Sequence, residues 1–253
     1  MSPAGPASTS RWTVRTGGDA STRLRLLCFP HVGAGAVTFR SWTDHLPADV
    51  ELCAVRLPGR ENRMAEPLID DADPLFAAME PALAPLLDRP FVLVGHCSGS
   101  VLAYEFARRL GSSGGPVPRL LVLSSTEAPA QRRIDDPLHL LPSDALRARV
   151  IQFGGMPQAV VDDPDLMRLF ERVLRADYRL VERLVYSPGP PLETPIAVIG
   201  GRHDDHVSCA AMAAWCQETS KDFTLHVLEA GHYLVHEAGE LVGRLARQLL
   251  EDR

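Results

Sequence analysis

The chain has 253 residues, of which 45% are hydrophobic, which is enough for one large domain with a substantial core. Its net charge of -6 at pH 7 and its isoelectric point near 5.8 argue against nucleic-acid binding, which needs a surplus of basic residues. No stretch has the length and hydrophobicity of a membrane span or of a signal peptide, so we expect no membrane partner.

The cysteines indicate where the protein works. They are odd in number, scattered along the chain and form no C-x-x-C pair, which favours a reducing cytoplasm over a disulfide-bonded secreted protein. Cys28 and Cys53 lie in apolar runs and are expected in the core. Cys209 and Cys216 lie seven residues apart on one predicted helix, so we expect them to pack on a shared face.

The first half of the chain alternates strands with helices. Residues 1–20, rich in Ser, Gly, Pro and Ala, predict a flexible arm, apart from Trp12-Thr13-Val14. Strands are predicted at 24–29, 50–57, 92–95 and 120–124, and helices at 37–45, 73–88 and 101–110. The glycine-containing loop at 30–36 lacks a G-x-G-x-x-G pattern and a lysine, which argues against a nucleotide site there.

The stretch around Cys97 carries the strongest motif. An apolar run ends at Gly95, Cys97 follows one residue later, and Gly99 precedes a helical pattern. This is the nucleophile elbow G-x-S-x-G with cysteine in place of serine. The sharp turn needs small flanking residues, and it places the nucleophile at a helix N-terminus, where the dipole favours a thiolate. On the pentapeptide alone, a small buried cysteine is an equally good interpretation.

The alternation stops between residues 127 and 191, where no strand is predicted. One helix is predicted to begin at Ser143, as its N-cap, and a longer one spans 163–186. A helical insertion between two core strands predicts a lid, with an extra helical layer as the alternative. We therefore expect an α/β core of residues 21–126 and 192–253, with a mostly parallel, doubly wound sheet.

An acid and a histidine follow the elbow in the order found in α/β-hydrolases. Asp204 comes after a predicted strand at 196–200, and His232 after another at 223–228. We expect His232 to take the thiol proton and Asp204 to orient its ring. Asp205 is the rival acid, and His236 is the rival histidine, expected to pack or to face solvent.

Other residues near these motifs are expected to form the oxyanion hole and the surroundings of the site. We expect the backbone N–H groups of Val32 and Ser98 to form the oxyanion hole. His31 and His96 are expected beside the site, as supporting or pocket residues. The run His203–His206 resembles a metal cluster, but residues so close on one loop cannot all face one ion, so no metal site is expected.

Several motifs together resemble the type II (external, editing) thioesterases of polyketide and nonribosomal peptide synthesis. The matching segments are Cys28 to Gly33, Leu57 to Arg63 with Glu66-Pro67, Gly95 to Gly99, Gly154 to Pro157, Leu174 to Tyr178, Gly201 to Asp204, Trp215 and Gly231-His232. The likeness extends from about residue 12 to the C-terminus. It implies an α/β-hydrolase fold with a helical lid and a Cys97–His232–Asp204 triad.

The resemblance also implies a substrate and a partner. Such enzymes hydrolyse acyl groups from the phosphopantetheine arm of acyl or peptidyl carrier proteins, so the substrate brings the cofactor and the enzyme needs none. This chain departs from the family at Cys97, where serine is usual, in the Val32–Gly35 loop, and at Asp205, where proline is common. We expect a monomer.

Two other functions stay open from the sequence. The same triad could pass the acyl group from Cys97 to an amine, thiol or hydroxyl, as an acyltransferase or a cyclising off-loading enzyme. A catalytically silent module that binds carrier proteins is the third possibility. An acidic carrier protein would need basic residues near the pocket, for which Arg60, Arg63, Arg132 and Arg133 are candidates.

Overall fold

The computed structural model of the protein describes residues 11–154, 156 and 158–252. Within these residues one sheet contains seven strands: β1 (Thr13–Thr16), β2 (Leu24–Phe29), β3 (Val50–Val55), β4 (Phe91–His96), β5 (Leu120–Ser124), β6 (Ile196–Gly201) and β7 (Phe223–Leu228). The α-helices are α1 (Ala72–Leu83), α2 (Ser98–Ser112), α3 (Ser143–Phe153), α4 (Gln158–Val161), α5 (Pro164–Glu182), α6 (Cys209–Ala213) and α7 (Ala238–Glu251). Short 3-10 segments lie at Ala36–Asp44, Glu61–Arg63, Ala84–Leu86, Pro129–Gln131, Leu138–Leu140 and Ala214–Glu218.

The sheet is parallel except at one edge. Its strand order is β1-β3-β2-β4-β5-β6-β7, and only β1 runs antiparallel to its neighbour. Strands β2 to β6 are buried along their whole length, which explains their nearly continuous apolar sequences. The predicted mostly parallel sheet is confirmed, and the carboxyl ends of its central strands meet at one edge.

Helices cover both faces of the sheet. One core contains Phe76 of α1, Phe106 of α2 and Trp215, and the other contains Phe39, Trp42 and Leu241 of α7. A third, smaller core lies inside the insertion, where α3 and α5 pack through Leu146, Val150, Met167 and Leu174. Both faces of the sheet are therefore covered by helices, and the insertion has a separate core of its own.

Three local predictions are corrected. Residues 13–16 do not belong to a flexible arm, because they pair with β3 in the register Thr13↔Val55, while residues 1–10 of the predicted arm lie outside the described residues. The helix predicted at 37–45 is a 3-10 helix, Ala36–Asp44, and not an α-helix. Ser143 is the first residue of α3 and not its N-cap, and its hydroxyl donates to Glu171 instead.

The insertion is helical, as predicted. Between β5 and β6 the described residues form α3, α4, α5 and two 3-10 turns, with no strand. Helix α5 begins at an N-cap, Asp163, whose carboxylate accepts the N–H groups of Asp165 and Leu166. The predicted end of this helix near residue 186 is four residues too late.

Two glycines allow β4 and α2 to meet at a sharp angle. A Cβ on Gly99 would lie 2.0 Å from the carbonyl oxygen of Phe29, and one on Gly95 would lie 2.3 Å from Cα of Ser100. Both contacts are with backbone atoms, which cannot rotate away. The elbow therefore packs directly against the end of β2, and only glycine fits on either side of Cys97.

This close approach predicts the effect of substitution at Gly99. Gly99→Ala should lower the free energy of unfolding by about 1–3 kcal/mol or more, the usual cost of overpacking. Gly111→Ala is the matched control on the same helix, because a Cβ there meets nothing within 4 Å. Alanine should leave stability unchanged or raise it by about 0.5–1 kcal/mol at that site. Urea unfolding checks both values, and equal effects would contradict the packing argument.

Candidate active site

Cys97 lies at the junction of β4 and α2 with a backbone that few side chains adopt. Its φ is 51° and its ψ is -119°, so it occupies a region that costs on the order of 1–3 kcal/mol for a residue other than glycine. Its N–H donates to the carbonyl of Ser124, and its own carbonyl accepts the N–H of Ser100. These bonds hold the strained turn, and the side chain points out of the carboxyl edge of the sheet.

His232 connects the cysteine to an acid. The imidazole Nε2 lies 3.3 Å from the Cys97 sulfur, and Nδ1 lies 2.9 Å from Oδ2 of Asp204. The Asp204 side chain is fully buried, and the His232 side chain is 10% exposed. The three residues, which come from the ends of β4, β6 and β7, thus form one continuous hydrogen-bonded chain.

The rival residues lie outside this chain. Asp204 accepts the backbone N–H groups of His206 and Val207 through its Oδ1, which leaves Oδ2 for His232. Asp205 is exposed, and the hydrogen bonds of the His232 ring go to Asp204 and Cys97. His236 is also exposed and precedes α7, as expected for a residue that faces solvent.

The charges of this chain are set by its contacts. Burial disfavours the imidazolium of His232, but hydrogen bonds with Asp204 and Cys97 outweigh it and raise the pKa of His232 to about 10. Burial of Asp204 is likewise outweighed by its bonds with His232 and two backbone N–H groups, and its pKa is lowered. His232 therefore carries a positive charge at neutral pH, next to the sulfur.

His31 and His96 lie behind the triad in a second, neutral layer. The His31 ring makes edge contacts with His96 and Tyr233, with ring centroids 5.3 and 5.0 Å apart. Burial lowers the pKa of His31 to about 4 and the pKa of His96 well below its usual value, and the charge of His232 adds to both shifts. Both rings are therefore neutral, His96 lies beside His232 with ring centroids 6.2 Å apart, and neither ring lines the cavity described below.

Two residues that support His232 were not predicted. Ser125 has a φ of 49°, and its hydroxyl donates to the carbonyl of His232 at 2.6 Å. Phe153, at the end of α3, lies 4.5 Å from the ring of His206, which in turn makes an edge contact with His232. Nothing in the local sequence marks Ser125, because its role comes from a contact 107 residues away.

A cavity of about 410 Å³ opens beside the sulfur. Its lining includes Cys97, Ser98, Val32, Phe153, His232 and Arg132. A second cavity of about 480 Å³ continues along α2 and shares five wall residues with the first: Val101, Glu127, Arg132, Ile134 and Glu182. Val32 and Ser98, predicted to donate their N–H groups, thus both lie on the wall that holds the sulfur.

The prediction that four arginines could bind a carrier protein is wrong for two of them. Arg60 is buried and pairs with Asp177, and Arg63 is buried between Glu66 and the ring of Trp12. A buried, paired guanidinium cannot meet a partner protein. Arg132 and Arg133 do lie at the cavity wall, and Arg133 is exposed.

Of the predictions for the other four cysteines, two are confirmed and two are wrong. Cys28 and Cys53 lie in the core, as predicted, and burial raises the pKa of both thiols. Cys209 and Cys216 are exposed and do not pack on a shared helix face, because α6 ends at Ala213 and a 3-10 segment follows.

In the part of the chain that the structure describes, no group of three or more His, Cys, Asp or Glu side chains could hold a metal ion. None of the described helices combines the length and hydrophobicity needed to cross a bilayer.

Comparison with known proteins identifies the family. The profile of the family described as "Thioesterase domain" matches residues 24–249. The chain belongs to the thioesterase family. It is therefore a thioester hydrolase.

The chain is also similar to individual proteins. The chain is 40% identical over 250 residues to AMB antimetabolite synthetase AmbE of Pseudomonas aeruginosa, covering 99% of this chain but only 12% of that protein. It is 29% identical to gramicidin S biosynthesis protein GrsT of Aneurinibacillus migulanus, over 96% of this chain and 95% of GrsT.

A solved structure supports the fold. The type II thioesterase BorB from the borrelidin biosynthetic cluster superimposes with a TM-score of 0.84 at 32% identity, covering 94% of this chain and 97% of BorB. Together with the parallel sheet, this likeness confirms the predicted α/β-hydrolase fold.

The charge of His232 predicts how fast Cys97 reacts at neutral pH. The pKa of His232, about 10, keeps its imidazolium at neutral pH, and Nε2 lies 3.3 Å from the sulfur. A cation beside a cysteine raises the reactivity of its sulfur. Alkylation by iodoacetamide at about pH 7 should therefore be slower in His232→Asn than in wild type.

The measurement needs a background in which the exposed Cys209 and Cys216 are serine, so that alkylation reports on Cys97. The buried Cys28 and Cys53 need no replacement. Equal alkylation rates in wild type and His232→Asn at about pH 7 would show that the imidazolium does not act on the sulfur.

Proposed function

We propose that this thioesterase removes acyl groups from the phosphopantetheine arm of acyl or peptidyl carrier proteins in polyketide or nonribosomal peptide synthesis. Cys97 is the nucleophile, His232 the acid and base, and Asp204 the residue that orients the imidazole. The observation that carries the proposal is the hydrogen-bonded chain from Asp204 through His232 to the sulfur, on the wall of a cavity. Similarity to GrsT and BorB supports the choice of pathway.

The first half of the reaction forms an acyl-enzyme. The thiolate of Cys97 attacks the carbonyl carbon of the thioester, and the carbonyl oxygen becomes an oxyanion that accepts the N–H groups of Val32 and Ser98. Ser98 is the first residue of α2, whose N-terminal N–H groups have no partner within the helix. When the intermediate collapses, the pantetheine sulfur leaves and takes the proton from His232.

The second half releases the acid. Neutral His232 now accepts a proton from a water molecule, whose oxygen attacks the acyl carbon. The new oxyanion uses the same two N–H groups. The bond to sulfur then breaks, the carboxylic acid departs, and Cys97 returns as a thiolate beside the imidazolium. Asp204 stays ionised throughout and stabilises that charge.

The insertion acts as the lid of this site. Phe153 at the end of α3 contacts His206, and Tyr178 and Val181 of α5 line the cavity, so the acyl group is enclosed between the core and the insertion. Enclosure keeps bulk water away while the carrier arm is bound.

The pair Asp204 and Asp205 offers a matched test of the triad. Asp204→Asn should lower kcat for an acyl-phosphopantetheinyl carrier by on the order of 10²- to 10⁴-fold, because the imidazole loses its orienting acceptor. Asp205→Asn, an exposed neighbour, should keep kcat within about twofold. Steady-state hydrolysis measures both. Equal kcat values would refute the triad, and no turnover by wild type would favour a binding module.

The exposed Arg133 tests docking of the carrier protein. Arg133→Glu should raise KM for a carrier-bound thioester several-fold, because like charges repel an acidic partner, and should leave KM for a small pantetheine thioester unchanged. Arg247→Glu, exposed on α7 and absent from the cavity wall, serves as the control. An equal rise for both substrates would mean that Arg133 acts on the pocket and not on the carrier.

The sulfur nucleophile favours one second candidate function, acyl transfer. Attack by Cys97 exchanges one thioester for another, so the acyl-enzyme keeps the reactivity toward amines and thiols that an oxygen ester lacks. If transfer occurs, added amine should capture a larger share of product with wild type than with Cys97→Ser. Equal partition between water and amine in the two proteins would exclude this function.

A further inference from the structure

A buried ion pair connects the insertion to the loop that carries Val32. Asp177, on α5, accepts two hydrogen bonds from Arg60 at 2.6 and 2.7 Å, and both side chains are less than 10% exposed. Oδ2 of the same carboxylate also accepts the backbone N–H of Gly33 at 2.8 Å. Arg60 completes the contact by donating to the carbonyl of Ala34 at 3.0 Å. The carboxylate thus holds the N–H of Gly33, and the guanidinium holds the carbonyl of the next residue, Ala34.

The loop is also shaped to fit α5. Gly33 has a φ of 76°, and a Cβ there would lie 2.8 Å from the side chain of Leu174, one turn before Asp177. The loop therefore lies directly on the helix, and its course depends on where α5 is. Val32, whose side chain borders the cavity with Cys97, is the residue immediately before the anchored N–H.

The chemistry of the ion pair between Asp177 and Arg60 indicates that it fixes the position of the loop more than it stabilises the fold. Buried ion pairs contribute little net stability, since desolvation of both charges offsets their attraction. Bidentate, charge-assisted bonds do fix direction. Because the Gly33 N–H is held by Asp177, the peptide plane between Val32 and Gly33 is fixed, and only the φ and ψ of Val32 set the direction of the Val32 N–H.

We infer that Asp177 and Arg60 are positioning residues that aim the Val32 N–H at the oxyanion and make its position depend on the insertion. Neither residue lines the cavity, so neither touches the acyl group. When α5 is seated, its carboxylate orients the loop, and when α5 moves, the oxyanion hole loses one donor. The inference rests on the proposed function, since it concerns the oxyanion that forms when Cys97 is acylated.

The test compares two reactions of the same sulfur in the Cys209→Ser/Cys216→Ser background. Acylation by a pantetheine thioester passes through an oxyanion, whereas alkylation by iodoacetamide does not. Asp177→Asn should slow single-turnover acylation by about 10- to 100-fold, below the about 10²- to 10³-fold cost of removing an oxyanion donor outright. The alkylation rate should stay within about twofold of wild type. Asparagine has an amide NH₂ group where the aspartate has its second oxygen, so at least one of the three donors from Arg60 and Gly33 loses its acceptor.

A matched control lies two residues along the same helix. Arg179 pairs with Asp70 and also joins α5 to the core, but the pair is half-exposed and does not touch the loop. Arg179→Gln should leave both acylation and alkylation unchanged. A loss of acylation as large as that of Asp177→Asn would mean that any weakening of α5 suffices, which would overturn the specific role of Asp177.

A double variant separates positioning from folding. Asp177→Asn leaves the Arg60 cation buried without a carboxylate, which lowers the melting temperature. Arg60→Gln/Asp177→Asn removes both charges, so the melting temperature should recover towards wild type while acylation stays slow. Recovery of acylation together with stability would show a structural role only and overturn the inference.

Failure of the inference differs from failure of the proposed function. If Cys97 is not the nucleophile, wild type itself gains no acyl group, and Cys97→Ala turns over the thioester as well as wild type. If only the inference fails, wild type is acylated at Cys97, and Asp177→Asn is acylated equally fast or loses alkylation in parallel.

Discussion

The backbone of Cys97, held at a φ of 51° between β4 and α2, is the constraint on which the site depends. Any relaxation towards ordinary helix or strand would turn the sulfur into the sheet or the helix and away from His232. The strain persists because the surroundings leave no alternative. Gly99 lies against the end of β2, Gly95 lies against α2, and the Cys97 N–H is held by β5.

The histidines show how the site places one charge where it is useful. Three imidazoles lie close together, with ring centroids 5.3 Å apart for His31 and His96 and 6.2 Å apart for His96 and His232, yet their environments give them different charges. His232 has a buried carboxylate on one side and the sulfur on the other, so it remains charged. His31 and His96 have no such partners and stay neutral. A second imidazolium there would compete with His232 for the thiolate.

The sequence predicted the parts of the site that local patterns encode. The elbow, and the order of acid and histidine after strands, led to Cys97, Asp204 and His232, and parallel strands brought them to one edge. Local patterns did not predict which charged side chains are buried. Arg60 and Arg63 look like surface arginines because their partners, Asp177 and the Trp12 ring, are distant in sequence.

Elements that depend on long-range contacts were missed for the same reason. Strand β1 is only four residues long and gains its stability from pairing with β3, so local composition set only Trp12-Thr13-Val14 apart from an arm and did not predict the strand. Ser125, the residue after β5, supports His232 across 107 residues. The anchoring of the Val32 loop to α5 joins residues 144 apart. Each of these contacts exists only after the sheet and the insertion have come together.

The measurement that tests the account most directly is intact-mass spectrometry of the protein mixed with an acyl-pantetheine thioester, followed over time beside Cys97→Ala. The account predicts a transient mass increase equal to one acyl group on wild type, mapped to Cys97, while free acid accumulates, and no adduct on Cys97→Ala. Release of acid by Cys97→Ala at the wild-type rate, or an adduct on another residue, would contradict it.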